Sequence, residues 1–433
     1  MKKAFISILG TNNYLECRHS FGDIITDVPV KYCQEDIIKI FCEDFDEESE
    51  IRIFITDEAE KKNWLDNGHI DKIKNSPIEN KGLKQRLESL NLKSQIKPIK
   101  IKEGFDENEI WDLFQVIFDS FREEEEVIVD ITHSFRSLPM LMITLLNYAK
   151  QVKKIKVSGI YYAAFETLGS IPEVEKIPAN ERIAPILNLT SFSYLQDWTN
   201  ATFDFINNGS IKSLKNLSKM FNEKNETTKF RKNLLGEIDN VLDNMALCRG
   251  GNLLDYDFNT LKQKIRELKT SNNFTAFNTL IDKISDKFEV FDKSGIKNLL
   301  ETVKWCYEHK LYQQSITLLL ETMITTILIK LGLDEKERKN RQVVTNVFNI
   351  KSKNIPKSDW NELCNKHSDL TEKILSLSFV DIIIKEYEYL SDIRNDINHG
   401  GFNNDSKKSN SIISRLRNSI DNIIPKIQSF LNE

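Results

Sequence analysis

The chain predicts an α/β sheet domain followed by an all-α domain, and three observations carry that prediction. Short apolar runs alternate with amphipathic helical periods as far as Phe165. Three prolines (Pro172, Pro178, Pro185) then fall in a stretch without clear period, and β signals nearly vanish from Tyr194 onward. Strands separated by helices imply a mainly parallel, doubly wound sheet, whose ligands bind where loops leave the carboxyl ends of the strands.

The elements follow in order. Residues 4–9 form the first apolar run, ending at Gly10, and residues 51–56, 127–132 and 155–165 form the next three. Helical patterns cover residues 36–45, 81–92, 107–121 and, after Pro139, 140–152. The second half carries amphipathic periods over residues 211–221, 234–247, 258–268, 299–309, 312–331, 379–397 and 411–431. Gly250-Gly251 and Ser271-Asn272-Asn273 read as breaks, and no fixed-period repeat supports a solenoid. The expected division is a sheet domain over 1–188, a helical connecting region over 189–298 and a helical bundle over 299–433.

Composition narrows the function classes. A chain of 433 residues with 40% hydrophobic and 29% charged residues has ample material for two or three cores. A net charge of −5 excludes a polycation, so any nucleic acid must be held in a local cleft. Cys17, Cys33, Cys42, Cys248, Cys306 and Cys364 are dispersed without a Cys-x-x-Cys pair, which argues for reduced, buried thiols and against a zinc ribbon. No apolar run reaches membrane-spanning length, and the first is too short for a signal peptide; a cytoplasmic location is expected. The acidic runs at 43–50 and 123–126 read as solvated helix ends.

Two loops in the first half follow strands and carry small polar groups. Gly10-Thr11-Asn12-Asn13-Tyr14 lacks the glycine spacing of a dinucleotide-binding turn, and no Walker A sequence occurs in the chain. Asp130-Ile131-Thr132-His133-Ser134-Phe135-Arg136-Ser137-Leu138-Pro139 passes from strand through loop into a helix, with Ser137 placed to cap it and Pro139 suited to its first turn. A helix N-terminus, hydroxyls and Arg136 together suit phosphate. The plain alternative is an ordinary capped loop with a solvated His133.

A second signal lies near the other end. Arg394-Asn395-Asp396-Ile397-Asn398-His399, followed by Gly400-Gly401, sets a permanent cation and a titratable imidazole five residues apart. RNA cleavage without a metal needs such a pair: His to move protons, and Arg to hold the charge that builds on the scissile phosphate. Five helical residues turn about 500°, leaving the two side chains about 140° apart unless the helix stops near His399. The glycines supply that stop. Alternatively, Arg and His complement the negative end of a helix. His19, His69, His309 and His367 share no pattern and read as structural or solvated, and Glu321 is a weak further candidate.

Three segments carry a family resemblance: Leu9-Gly10-Thr11-Asn12-Asn13-Tyr14; Ile53-Phe54-Ile55-Thr56-Asp57-Glu58-Ala59 with Asn63-Trp64; and the stretch from Asp130 to Pro139. In that order they resemble the CRISPR-associated Rossmann fold (CARF) sensor joined to a HEPN ribonuclease domain. The resemblance implies a type III CRISPR antiviral effector whose CARF domain binds cyclic oligoadenylate across a homodimer interface. Gly10, Thr11, Asn12, Asn13, Thr132, His133, Ser134 and Arg136 would face the ring, with Thr56 a further candidate. Four adenylates fit this branch by resemblance, with six as the alternative. Arg394, Asn395 and His399 match the HEPN signature, which implies a metal-independent endoribonuclease acting on single-stranded RNA and leaving 2′,3′-cyclic phosphate and 5′-hydroxyl ends. No cofactor, metal or membrane partner is expected. Two other readings stay open: a sensor whose HEPN domain only recruits a partner, and a ring nuclease that degrades its own activator.

Overall fold

The computed structural model describes residues 2–71, 75–78, 80–133, 138–220, 226–270, 275–402 and 406–433. It divides into two compact units, Met1–Gln196 and Asp197–Glu433.

The first unit is built on ten strands: β1 (Lys3–Leu9), β2 (Arg18–Phe21), β3 (Ile24–Ile25), β4 (Glu50–Ile55), β5 (Ile70–Asp71), β6 (Ser76–Pro77), β7 (Gln95–Lys100), β8 (Glu126–Asp130), β9 (Lys156–Ala163) and β10 (Ile183–Asn188). Eight form one sheet in the order β3-β2-β10-β9-β8-β1-β4-β7, and β5 and β6 make a separate hairpin. The five strands from β9 to β7 are mutually parallel, whereas β10 runs antiparallel to β9 and parallel to β2.

Burial explains the unbroken apolar run at the start. β1 is central, and its side chains alternate between two covered faces. Phe5 and Leu9 join Ile37, Ile38, Leu83 and Leu87 beneath the helices Cys33–Phe41 and Leu83–Glu88. Ile6 and Ile8 join Leu113, Ile117, Leu145 and Ala149 beneath Glu107–Ser120 and Leu138–Val152. The doubly wound architecture is thus as expected.

Three differences from expectation have physical reasons. β7 carries only two apolar residues and a proline, which an edge strand tolerates and a central one does not. β10 continues the sheet through Pro185 to Asn188, beyond the stretch read as the exit from the domain. The acidic runs are not wholly solvated. Glu50 and Glu125 are buried around Arg52, which donates to both Glu125 oxygens at 2.7 and 2.8 Å and to Glu50 at 2.8 Å. Lys97 and Arg122 complete the network on Glu50.

The second unit is helical. Its core is continuous from Ala201 and Phe205 through Phe258 and Phe288 to Ile427 and Phe430, so residues expected to connect share one interior with the C-terminal helices. Tyr312–Lys330 is the central helix and is buried on nearly all sides. Its interior hydroxyls are satisfied locally: Thr322 donates to the Leu318 carbonyl at 2.6 Å and Thr326 to that of Thr322 at 2.7 Å. Ile296–Glu308, Arg338–Lys353, Ser378–Asn398 and Ser409–Asn432 pack around it. Gly250 and Gly251, expected as a break, open the short helix Gly250–Asp255.

Candidate functional site

The carboxyl ends of β1, β8 and β9 frame a cleft of about 590 Å³. Asn63 holds the first loop, its Nδ2 donating to the carbonyls of Gly10 at 2.7 Å and Asn12 at 2.9 Å. Its Oδ1 meets His69 Nε2 at 2.9 Å, so the buried amide is satisfied at both ends. A Cβ at Gly10 would stand 2.2 Å from the Tyr14 hydroxyl, so a larger residue there would displace that side chain.

The second loop is bolted to the strands. Asp130 is buried and accepts from Ser7 Oγ at 2.7 Å, from the Thr132 backbone at 2.9 Å and from Thr132 Oγ1 at 2.5 Å. Burial raises its carboxyl above the ordinary range, opposed by those donors. Thr132 Oγ1 also accepts from the Ala163 backbone at 2.9 Å, so its hydroxyl positions the loop instead of standing free for a ligand. His133 stacks on Tyr14 with ring centroids 4.0 Å apart and planes 27° from parallel. Burial pushes its imidazole down to about 3, the nearby His19 charge adding to the effect. His133 Nε2 has no hydrogen-bond partner among the described residues.

Asn12, Asn13, Thr132 and His133 therefore share the cleft. Gly10 lies in the loop backbone beneath Tyr14, and neither it nor Thr11 lines the cleft. Thr56 is a correction: it is 1% exposed, lies outside the cleft and caps the turn Asp57–Ala59 by accepting from the Ala59 backbone at 3.2 Å. Ser134, Arg136 and the expected cap Ser137 lie outside the described residues.

Sequence reasoning missed Tyr162, Phe165, Glu166 and Ser170 on the opposite wall. Tyr162 lies at the end of β9 and the other three in the segment that follows it, and the rule placing ligands at carboxyl strand ends could have flagged them. It also left out His19, which lines the cleft floor paired with Asp36 at 2.8 Å. Burial works against its charge, but the hydrogen bonds to Asp36 and Cys17 prevail and lift it to about 9.

In the helical unit, Ser378–Asn398 ends as the glycines predict. Gly401 N–H donates to the Asp396 carbonyl at 2.9 Å and Gly400 N–H to that of Ile397 at 3.0 Å, with φ of 69° and 68°. This double bond pattern with a left-handed residue is a Schellman stop, and it leaves His399 as the C-cap. Arg394 is half-buried and lines a cleft of about 450 Å³ with Gln313, Gln314, Thr317, Cys248 and Asn398. Asn398 Oδ1 accepts from Gln313 Nε2 at 2.8 Å. Among the described residues no carboxylate pairs with Arg394.

Asn395 and His399 are exposed and do not line that cleft. The helix stays regular through Asn398, so one chain does not bring His399 round to Arg394. Glu321 lines an adjoining cavity, and its charge reaches Tyr387 on the Arg394 helix. Burial and Glu321 raise the Tyr387 hydroxyl, while Arg394 opposes them. No group of three or more metal-ligating side chains occurs among the described residues, and none of its helices is long and apolar enough to cross a membrane.

Residues 5–166 match the family described as CRISPR system endoribonuclease Csx1, CARF domain. The CRISPR-associated protein MJ1674 of Methanocaldococcus jannaschii is 26% identical over 275 residues, which is 62% of this chain and 39% of that protein. The chain thus matches about two fifths of its relative's length. Csm6 of Enterococcus italicus, solved bound to cyclic hexa-2′-fluoro-hexa-dAMP, aligns over 99% of both chains at 11% identity with a TM-score of 0.44.

Proposed function

We propose that the chain, whose residues 5–166 match the Csx1-type CARF family, is a cyclic oligoadenylate-activated endoribonuclease of type III CRISPR defence. One observation carries the reading: a half-buried guanidinium, Arg394, faces an open cleft without a carboxylate partner among the described residues, five residues before an exposed His399. An unpaired, partly buried cation awaits an anion, and a phosphodiester supplies one.

The proposed chemistry uses these groups alone. The substrate 2′-hydroxyl attacks the adjacent phosphate, His399 transfers protons at the attacking or leaving oxygen, and Arg394 stabilises the pentavalent phosphorane. The products are a 2′,3′-cyclic phosphate and a 5′-hydroxyl, and DNA is inert because it lacks the nucleophile. Asn395, exposed beside them, contacts phosphate or His399. Since Arg394 and His399 do not share a cleft in one chain, the reading calls for a homodimer that supplies two of each.

An exposed aromatic stripe supports pairing of the sensors. Trp111 is 68% and Met140 73% exposed on neighbouring helices, and Trp111, Phe114, Phe118 and Tyr148 contact one another ring to ring. Asn12, Asn13, His133 and the undescribed Ser134 and Arg136 would face the ring. The test is RNA cleavage with chelator present, titrating rings of three, four and six adenylates. Cleavage by the four-membered ring alone is expected, and absence of cleavage with every ring would leave only the binding-module reading. That second reading draws on the same separation of His399 from the Arg394 cleft.

A further inference from the structure

The cleft beside Arg394 does not end there. It shares Cys248 and Thr317 with a second cavity of about 490 Å³. The helix Tyr312–Lys330 walls both, since Gln314, Thr317, Glu321 and Thr325 recur at three- or four-residue spacing and so share one face. Leu254, Leu299 and Leu318 give this cavity apolar sides.

At its rim stands Glu321, 43% exposed, in a fixed orientation. Arg341 Nη2 donates to Glu321 Oε2 at 2.5 Å, while Nη1 donates to the Glu335 carbonyl at 2.7 Å and to Thr325 Oγ1 at 3.0 Å. A guanidinium held on three acceptors cannot swing, so it presents the carboxylate rigidly. No described donor reaches Glu321 Oε1, and Oε2 retains a second lone pair.

Apolar sides with a fixed acceptor pair at the rim suit a flat heteroaromatic ring that offers N–H donors along one edge. Guanine presents its imino and amino N–H groups side by side, matching two carboxylate oxygens. Adenine and cytosine place one amino group beside an acceptor nitrogen that a carboxylate repels, and uracil sets its single N–H between two carbonyls. We propose that the cavity adjoining Arg394 is a base subsite for guanine in single-stranded RNA, with Glu321 reading the base and Arg341 as its positioning residue. The inference rests on the nuclease reading above for its substrate, and it goes beyond it in assigning sequence preference.

The probes are fluorescent 2′-O-methyl oligouridylate octamers with one central guanine, adenine or cytosine, which cannot be cut through a 2′-hydroxyl. Binding to the full chain is measured by anisotropy. The guanine octamer should bind about tenfold more tightly than the others. Glu321→Gln should abolish that preference, and Arg341→Ala should shrink it without changing affinity for the all-uridine octamer. Thr317→Phe, which fills the neck between the cavities and leaves the ion pair intact, should remove it too. Equal affinities in the wild-type chain, or a preference that survives Glu321→Gln, overturn the proposal. A guanine preference in a chain that cuts no RNA with any ring would support the subsite and overturn the nuclease reading instead.

Discussion

His133 lies flat on Tyr14, with centroids 4.0 Å apart, and this stack closes one side of the amino-terminal cleft. Tyr14 comes from the loop after β1 and His133 from the loop after β8, so the contact couples the two loops that flank the proposed ring site. An adenine could extend the stack. His133→Ala should weaken ring binding by roughly tenfold, the scale of one lost aromatic contact. Calorimetric titration of the ring into wild type and variant checks this, and equal affinities would remove His133 from the site.

His133 also fixes an acid limit. Its folded-state pKa of about 3 is depressed from 6.5, so the unfolded chain takes up a proton that the folded chain refuses. Its contribution to stability is complete above pH 6.5 and is lost as pH falls toward 3. Melting temperatures from pH 7.5 to 4.5 should fall less steeply in His133→Asn than in wild type. Parallel curves would show that the imidazole does not titrate across that window.

His19 sets the opposite limit. Its folded-state pKa is lifted to about 9 by Asp36 and Cys17 despite burial, so the folded chain holds a proton that the unfolded chain releases near 6.5. That stability is complete below pH 6.5 and vanishes as pH rises through 9. His19→Asn should lower the melting temperature at pH 6.5 and leave little difference from wild type at pH 10. A constant deficit at both pH values would point to packing alone.

Asn63 anchors Gly10 and Asn12 through one amide, and nothing else described replaces those bonds. Asn63→Ala removes both bonds from this partly exposed loop. Hydrogen exchange should show residues 10–14 less protected, and ring affinity should fall while the helical unit keeps its protection. Unchanged exchange in the loop would contradict the anchoring role.

Arg394→Ala and His399→Ala should each cut RNA cleavage at least a hundredfold, the usual scale for losing one charge-stabilising or proton-transfer group. Ring binding should persist in both. Mixing the two variants should recover part of the activity, because mixed dimers hold one intact Arg and one intact His. Wild-type rates in the double variant would refute the assignment, and failure of mixing to restore activity would speak against a shared centre.

The legible parts of the fold were those in which local pattern and burial agree. β1 read cleanly because both of its faces are covered, and the stop at Gly400-Gly401 because only glycine adopts that φ freely. β7 and β10 escaped because their pairing is tertiary: an edge position excuses Pro98, and β9 recruits Pro185 through its carbonyl, which accepts from the Ala164 backbone. The helix Thr190–Asn208, which buries Ala201 and Phe205, was likewise absent from the pattern. The candidate residues Asn12, Asn13, Thr132 and His133, which share the cleft, all sit in short loops after strands. Thr56 was misread because a hydroxyl after a strand caps a helix as readily as it binds a ligand.

The Arg52 network lies at the amino ends of the strands, opposite the cleft. Stripping one partner from such a buried cluster strands a charge in the interior at about 3–5 kcal/mol, whereas the exposed loop residues Asn12 and Asn13 on the opposite rim carry no comparable load. Sequence drift is therefore tolerated unequally across this sheet. Descendants of the chain can remodel those exposed loop residues while the far edge stays bolted, so, on the proposed function, changes in ligand choice should accumulate at one end of the same strands.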